Sequence, residues 1–144
     1  MTMIRLARVS LWLTIAGHLA LSPLAGLAAE TGRPMTGAEF EAATTGRTLY
    51  YNSAGQAYGV EQYLPGRRVI WAFVGDDCRK GNWYENQEQI CFVYEDNTDP
   101  QCWLFYQTPA GLTARSLGFP DSAPLIAVEQ SPEAMACLGP NVGV

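Results

Sequence analysis

The stretch Gly75–Tyr106, GDDCRKGNWYENQEQICFVYEDNTDPQCWLFY, decides how the rest of this chain is read, because Cys78, Cys91 and Cys102 of its four cysteines and Trp83 and Trp103 of its four tryptophans fall there. Its apolar runs are short and rich in Trp, Tyr, Phe, Ile and Val. Between them stand Gly, Asn, Asp and Pro, the residues that turns require. The stretch therefore reads as a cross-linked β-meander.

The same punctuation extends outward in both directions. From Thr48 onward, short runs appear every 8 to 12 residues or so: TLYYN, YGVEQYL and RVIWAFV upstream, LTARSL and the weaker LIAVEQ downstream. Leu64-Pro65-Gly66-Arg67 places Pro and Gly at the centre of a type II turn, where Pro supplies the fixed φ and Gly the positive one. Connections this short join antiparallel neighbours, since a parallel pair needs a long crossover. The prediction is an all-β, antiparallel up-and-down meander of seven or eight strands. Closing it into a small barrel removes both exposed sheet edges.

One short N-terminal helix precedes the strands. Over Met35 to Thr45, Thr36 caps the first turn, Glu39 completes a capping box and Gly46 stands where helices end left-handed. Phe40 is its apolar anchor, and the helix is expected to plug or flank the sheet. Val69 to Val74 and Gln101 to Tyr106 are apolar on both faces, so their outer face needs a cover; the helix around Phe40 and the Pro-rich C-terminal segment are available.

Ahead of all this, Arg5 and Arg8 precede an apolar run from Val9 to about Leu21 and a small-residue tail, the order of a secretory signal peptide. The expected organisation is a signal over residues 1–29 and a single disulfide-bonded β-barrel domain over 30–144. The apolar run is too short and interrupted to span a bilayer, so no membrane span is expected after cleavage. The full chain carries a formal net charge of −5, and losing Arg5 and Arg8 makes the exported chain more acidic still. That argues against nucleic acid and anionic lipid as partners, since both need clustered cations. The address is periplasmic or secreted.

In an exported chain four cysteines read as two disulfides, with three possible pairings. The preferred one joins Cys91 to Cys102 across neighbouring strands and Cys78 to Cys137 at the C-terminal tail. In the chain-entropy model the short loop contributes about 3 kcal/mol and the long one about 4 kcal/mol.

The arrangement Cys78, Gly81-x-Trp83, Ile90-Cys91-Phe92-x-Tyr94 and Cys102-Trp103 resembles the G-x-W, C-F-x-Y, C-W pattern of small exported alphaproteobacterial proteins of unknown function, the DUF995-type group. More loosely it is similar to lipocalin-like barrels and to the barrel inhibitors of secreted bacterial metalloproteases. The resemblance covers roughly Thr36 to Tyr106. It implies a β-barrel and a periplasmic address, and it carries no catalytic residues onto this chain.

Candidate chemistry narrows by elimination. The only histidine, His18, lies in the expected leader, which closes Ser-His-Asp, Cys-His and the common zinc arrangements. Paired cysteines leave no thiolate nucleophile. Asp76 and Asp77 point to opposite faces of an extended strand and cannot share a proton. Either of them with Glu85, Glu88 or Glu95 offers the two carboxylates of glycoside chemistry, but solvated loop acids are the plainer reading. Glu95 to Asp99 reads as a turn before it reads as a calcium loop. Lys80, the only lysine and so the single candidate for Schiff-base chemistry, sits in a hydrophilic CRKGN turn, where a surface role is the plainer reading.

The aromatic centre is the remaining candidate. Trp71, Phe73, Trp83, Phe92, Trp103 and Phe105 are the candidate ligand-binding residues, although eight strands leave an interior that side chains nearly fill, and a packed core is the expectation. No catalytic residue, metal or cofactor is assigned. The leading reading is a non-catalytic periplasmic binding or inhibitory module whose partner is an apolar small molecule or an exported protein. The alternatives are a carboxylate-dependent hydrolase acting on cell-envelope glycans, or a structural subunit of an envelope complex.

Overall fold

In the computed structural model, which describes residues 32–137, eight strands follow one another around a closed barrel. They are β1 (Thr48–Ser53), β2 (Gln56–Leu64), β3 (Arg68–Phe73), β4 (Arg79–Asn86), β5 (Gln89–Tyr94), β6 (Asn97–Thr108), β7 (Gly111–Ser116) and β8 (Leu125–Ser131). Every consecutive pair is antiparallel, and β8 returns to β1 through pairs such as Thr48↔Ser131 and Asn52↔Ile126. The weakly patterned LIAVEQ run is thus the strand that removes the last two edges. The expected leader and the final GPNVGV segment lie outside the described residues.

Two strands begin earlier than hydropathy suggests. β4 starts at Arg79, so the CRKGN segment is ladder rather than turn: Trp71↔Arg79 and Ile70↔Lys80 pair backbone to backbone. β6 starts at Asn97, opposite Tyr94, which leaves Glu95 and Asp96 as the hairpin tip. Backbone pairing is indifferent to side-chain polarity, and polar residues extend these strands at the barrel rim. At the β2–β3 turn Gly66 has φ +76°, as the Pro-Gly pair predicts, and Arg67 also adopts a positive φ of 59°.

Helix α1 (Gly37–Thr44) carries the expected capping box between Thr36 and Glu39, and Gly46 follows its end at φ +79°. It plugs one end of the barrel. Phe40 is fully buried and meets the rings of Tyr63, Trp83, Phe92 and Phe105 at centroid distances of 5.5, 5.0, 6.2 and 4.4 Å. Burying one such ring stabilises the fold by roughly 1.5–3 kcal/mol. Polar contacts fix the plug's orientation: the Gly37 N–H donates to the Glu85 carboxylate at 2.8 Å, and Arg67 pairs with Glu41 at 3.1 Å while lying 4.6 Å over the Trp83 ring.

Because Phe40 points into the barrel, α1 plugs it, one of the two placements expected of this helix, and does not cover the outer face of β3. The C-terminal segment takes the outside instead. The Glu133 carbonyl accepts from the Thr48 hydroxyl at 2.6 Å, the Met135 N–H donates to the Gln62 side chain at 3.3 Å, and Cys137 reaches Cys78. Both preferred disulfides are present: Cys78–Cys137 spans 59 residues, and Cys91–Cys102 joins directly opposed positions of β5 and β6 with Cα atoms 4.0 Å apart. Disulfides of this kind belong to oxidising compartments outside the cytosol. Among the described residues no helix is long and apolar enough to cross a membrane.

Candidate functional site: a cavity with a buried carboxylate

Strand connections alternate between the two ends of an up-and-down barrel. α1 occupies the end of the β2–β3 and β4–β5 turns, and a cavity of about 200 Å³ opens toward the other. The interior is therefore filled at one end and hollow at the other, where the composition suggested a packed core throughout. The two halves share a layer: Phe92 and Phe105, which receive Phe40, also line the cavity.

The walls come from register. Opposed residues on neighbouring strands share a face, so the pairs Glu61↔Trp71 and Gly59↔Phe73 bring one side of β2 and β3 into the interior. Tyr58 joins them at the mouth, with ring centroids 6.0 Å from Trp71 and 5.4 Å from Phe73, which are themselves 5.3 Å apart. Gly59 makes this possible, since a Cβ there would stand 2.5 Å from the Trp71 ring. At the rim Arg79 pairs with Asp96 at 3.0 Å and Asp76 at 3.6 Å, and its guanidinium lies 5.1 Å from the Phe73 ring centroid.

Glu61 faces into this aromatic chamber and is only 4% exposed. Both of its oxygens are satisfied by phenols: Tyr63 donates to Oε2 at 2.7 Å and Tyr94 to Oε1 at 2.8 Å. Tyr51 stands 2.9 Å from the Tyr63 hydroxyl, and since Tyr63 gives its proton to Glu61, Tyr51 is the donor of that pair. Burial pushes the Glu61 carboxyl up to about 7, while the Tyr63 and Tyr94 bonds pull it down. Burial, then the neighbouring Glu61, drives the Tyr63 and Tyr94 phenols well above their ordinary value, and Tyr51 is raised by the same two causes. The proton that moves near neutrality in this cluster is therefore the one on Glu61. Ionised, the group presents a buried negative charge; protonated, it presents a donor.

Of the six candidate ligand-binding residues, Trp71, Phe73, Phe92, Trp103 and Phe105 line the cavity. Trp83 does not: it sits at the plugged end between Phe40 and Arg67. The acids considered for hydrolysis do not converge on the cavity. Glu85 caps α1, Glu95 accepts the Lys80 N–H at 3.0 Å, and Asp76 faces Arg79.

Sequence reasoning missed Glu61 and the tyrosines Tyr51 and Tyr63 beside it. In YGVEQYL the alternation separates Val60, Gln62 and Leu64 from Gly59, Glu61 and Tyr63, and hydropathy points the first set inward. The structure does the reverse, burying Gly59, Glu61 and Tyr63. The available signal was Tyr63, two residues from Glu61 and on its face. No family model, curated protein or solved structure matches this chain.

Proposed function

We propose that this chain is a non-catalytic binding module, exported to the periplasm or beyond, whose open barrel end receives a small molecule. One observation carries the reading: a cavity of about 200 Å³, lined by aromatic rings and holding a single buried carboxylate, in a barrel otherwise packed and cross-linked. Concave, mostly apolar sites with a few placed polar groups are the usual form of small-molecule sites, and barrel mouths are among their usual places. The lipocalin-like resemblance of the cysteine and tryptophan pattern supports the same reading. Glycan hydrolysis is disfavoured, because it uses two carboxylates flanking the scissile bond and the acids expected to supply them lie elsewhere. An exported protein partner is the second reading, favoured by Phe119 and Leu117, which are 75% and 40% exposed in the β7–β8 connection.

Native mass spectrometry of the protein from the envelope fraction tests the proposal. One small-molecule mass per chain is expected, and it disappears when Leu125→Trp fills the cavity that Leu125 lines. Bare protein from every preparation, or a bound mass that the variant retains, overturns it.

A further inference from the structure

We infer that the ligand is a small organic ammonium ion, with Glu61 as its counter-ion and the rings of Tyr58, Trp71 and Phe73 as its walls. This rests on the reading that the cavity binds a small molecule and names the chemistry it selects.

The hydrogen bonds around Glu61 are arranged for an anion. Two phenol protons run in one direction, Tyr51 to Tyr63 to Glu61, and the Tyr94 proton completes the second oxygen. Each carboxylate oxygen has two acceptor positions, so each keeps one for a ligand N–H or for close approach of a quaternary ammonium. A buried anion is costly unless a cation pairs with it. The cation lining the cavity, Arg79, is committed at the rim to Asp76, Asp96 and the Phe73 face. When Glu61 is ionised, the chamber holds a negative charge that no uncommitted cation of the cavity wall balances, and a cationic ligand would supply that balance.

The walls suit that complement. A cation over the face of Trp or Tyr is attracted by the ring quadrupole, and more strongly when both are out of water. A neutral apolar ligand would instead desolvate Glu61 further with nothing in return, and an anion would be repelled. The volume of about 200 Å³ favours a compact molecule over an extended acyl chain. The chain's net charge of −5 draws cations toward it.

Binding should follow the ionisation of Glu61. The groups facing it are Tyr51 from β1, Tyr63 from β2 and Tyr94 from β5, with Arg79 of β4 and Asp96 of the β5–β6 turn at the rim. The three phenols hold their protons through the neutral range, so Glu61 sets the pH response.

The test is calorimetric titration of the exported chain, disulfides intact, with choline and with its neutral carbon isostere 3,3-dimethylbutan-1-ol. At about pH 8 choline is expected to bind at least about tenfold tighter than the isostere, a charge-dependent preference. That preference should vanish at about pH 5.5 and in Glu61→Gln, while isostere binding stays near its original strength. If the isostere matches choline on the wild-type protein, or Glu61→Gln keeps the preference, the ammonium assignment is wrong and the binding reading stands. Should neither probe bind, the ammonium inference falls, and the native mass spectrum alone decides the binding reading. If Glu61→Gln does not fold, the wild-type pH series decides alone, and a preference independent of pH overturns the inference.

Discussion

Replacing Glu61 by glutamine removes the only group of the Tyr51–Tyr63–Glu61–Tyr94 cluster that changes charge near neutrality, and the consequence for stability has a definite sign. Burial raises this acid from 4.5 to about 7 on folding. Between those values the folded state holds a proton that the unfolded chain has released, so stability falls as pH rises. The stabilisation is fully present below about 4.5 and is lost as pH climbs through about 7. At ~1.4 kcal/mol per pH unit, the interval amounts to roughly 3 kcal/mol. Glu39, held near 2 by Arg33 and by the Thr36 backbone and hydroxyl, responds with the opposite sign, but its window lies below that of Glu61. The assay is urea unfolding followed by tryptophan fluorescence, in the absence of any amine, from about pH 5 to about pH 8.5. With m-values of about 1–3 kcal/mol/M, the wild-type midpoint should drop by about 1–3 M across that range. In Glu61→Gln the fall should be absent. The absolute stability of the variant is immaterial, because its amide must repair two phenol contacts and will carry an offset. Wild-type and variant midpoints that run parallel across the range would refute the argument.

Two further outcomes follow from the packing and the cross-links. Phe40→Ala should cost about 3–5 kcal/mol, because the ring fills the plugged end against four aromatic partners; a loss under about 1 kcal/mol in urea unfolding would mean that α1 is dispensable. Replacing Cys78 and Cys137 by serine should cost about 4 kcal/mol and the Cys91 and Cys102 pair about 3 kcal/mol, and a non-reducing peptide map linking Cys78 to Cys91 or Cys102 would contradict the connectivity itself.

How much of this was legible in the sequence depends on what kind of signal each feature leaves. Thr36 with Glu39, the Pro65-Gly66 turn and the short apolar runs are local, and local chemistry decided them. The Cys91–Cys102 bridge was readable as a hairpin problem, since a meander sets those two positions on neighbouring strands. The candidate site is different in kind. Period-2 alternation says that the two faces of β2 differ, and leaves open which of them is inside. Val60 and Leu64 argued for one face; the register Glu61↔Trp71 and Tyr63↔Val69 chose the other. The placement of Trp83 has the same origin: its aromatic character marked it as interior, but only the tilt and pairing of β4 against β5 set it beside Phe40 instead of in the cavity.

The two cross-links also differ in when they can form. Cys91 and Cys102 sit 11 residues apart on one hairpin, so pairing β5 with β6 suffices to bring them together. Cys78 has its partner 59 residues downstream, on a segment positioned only after β8 has docked against β1. During oxidative folding the first bond is thus a local event, while the second waits for the ring of strands to close. The Cys78–Cys137 bond ties the segment after β8 to the residue just before β4, so in the folded chain it fastens the closing strand from the outside.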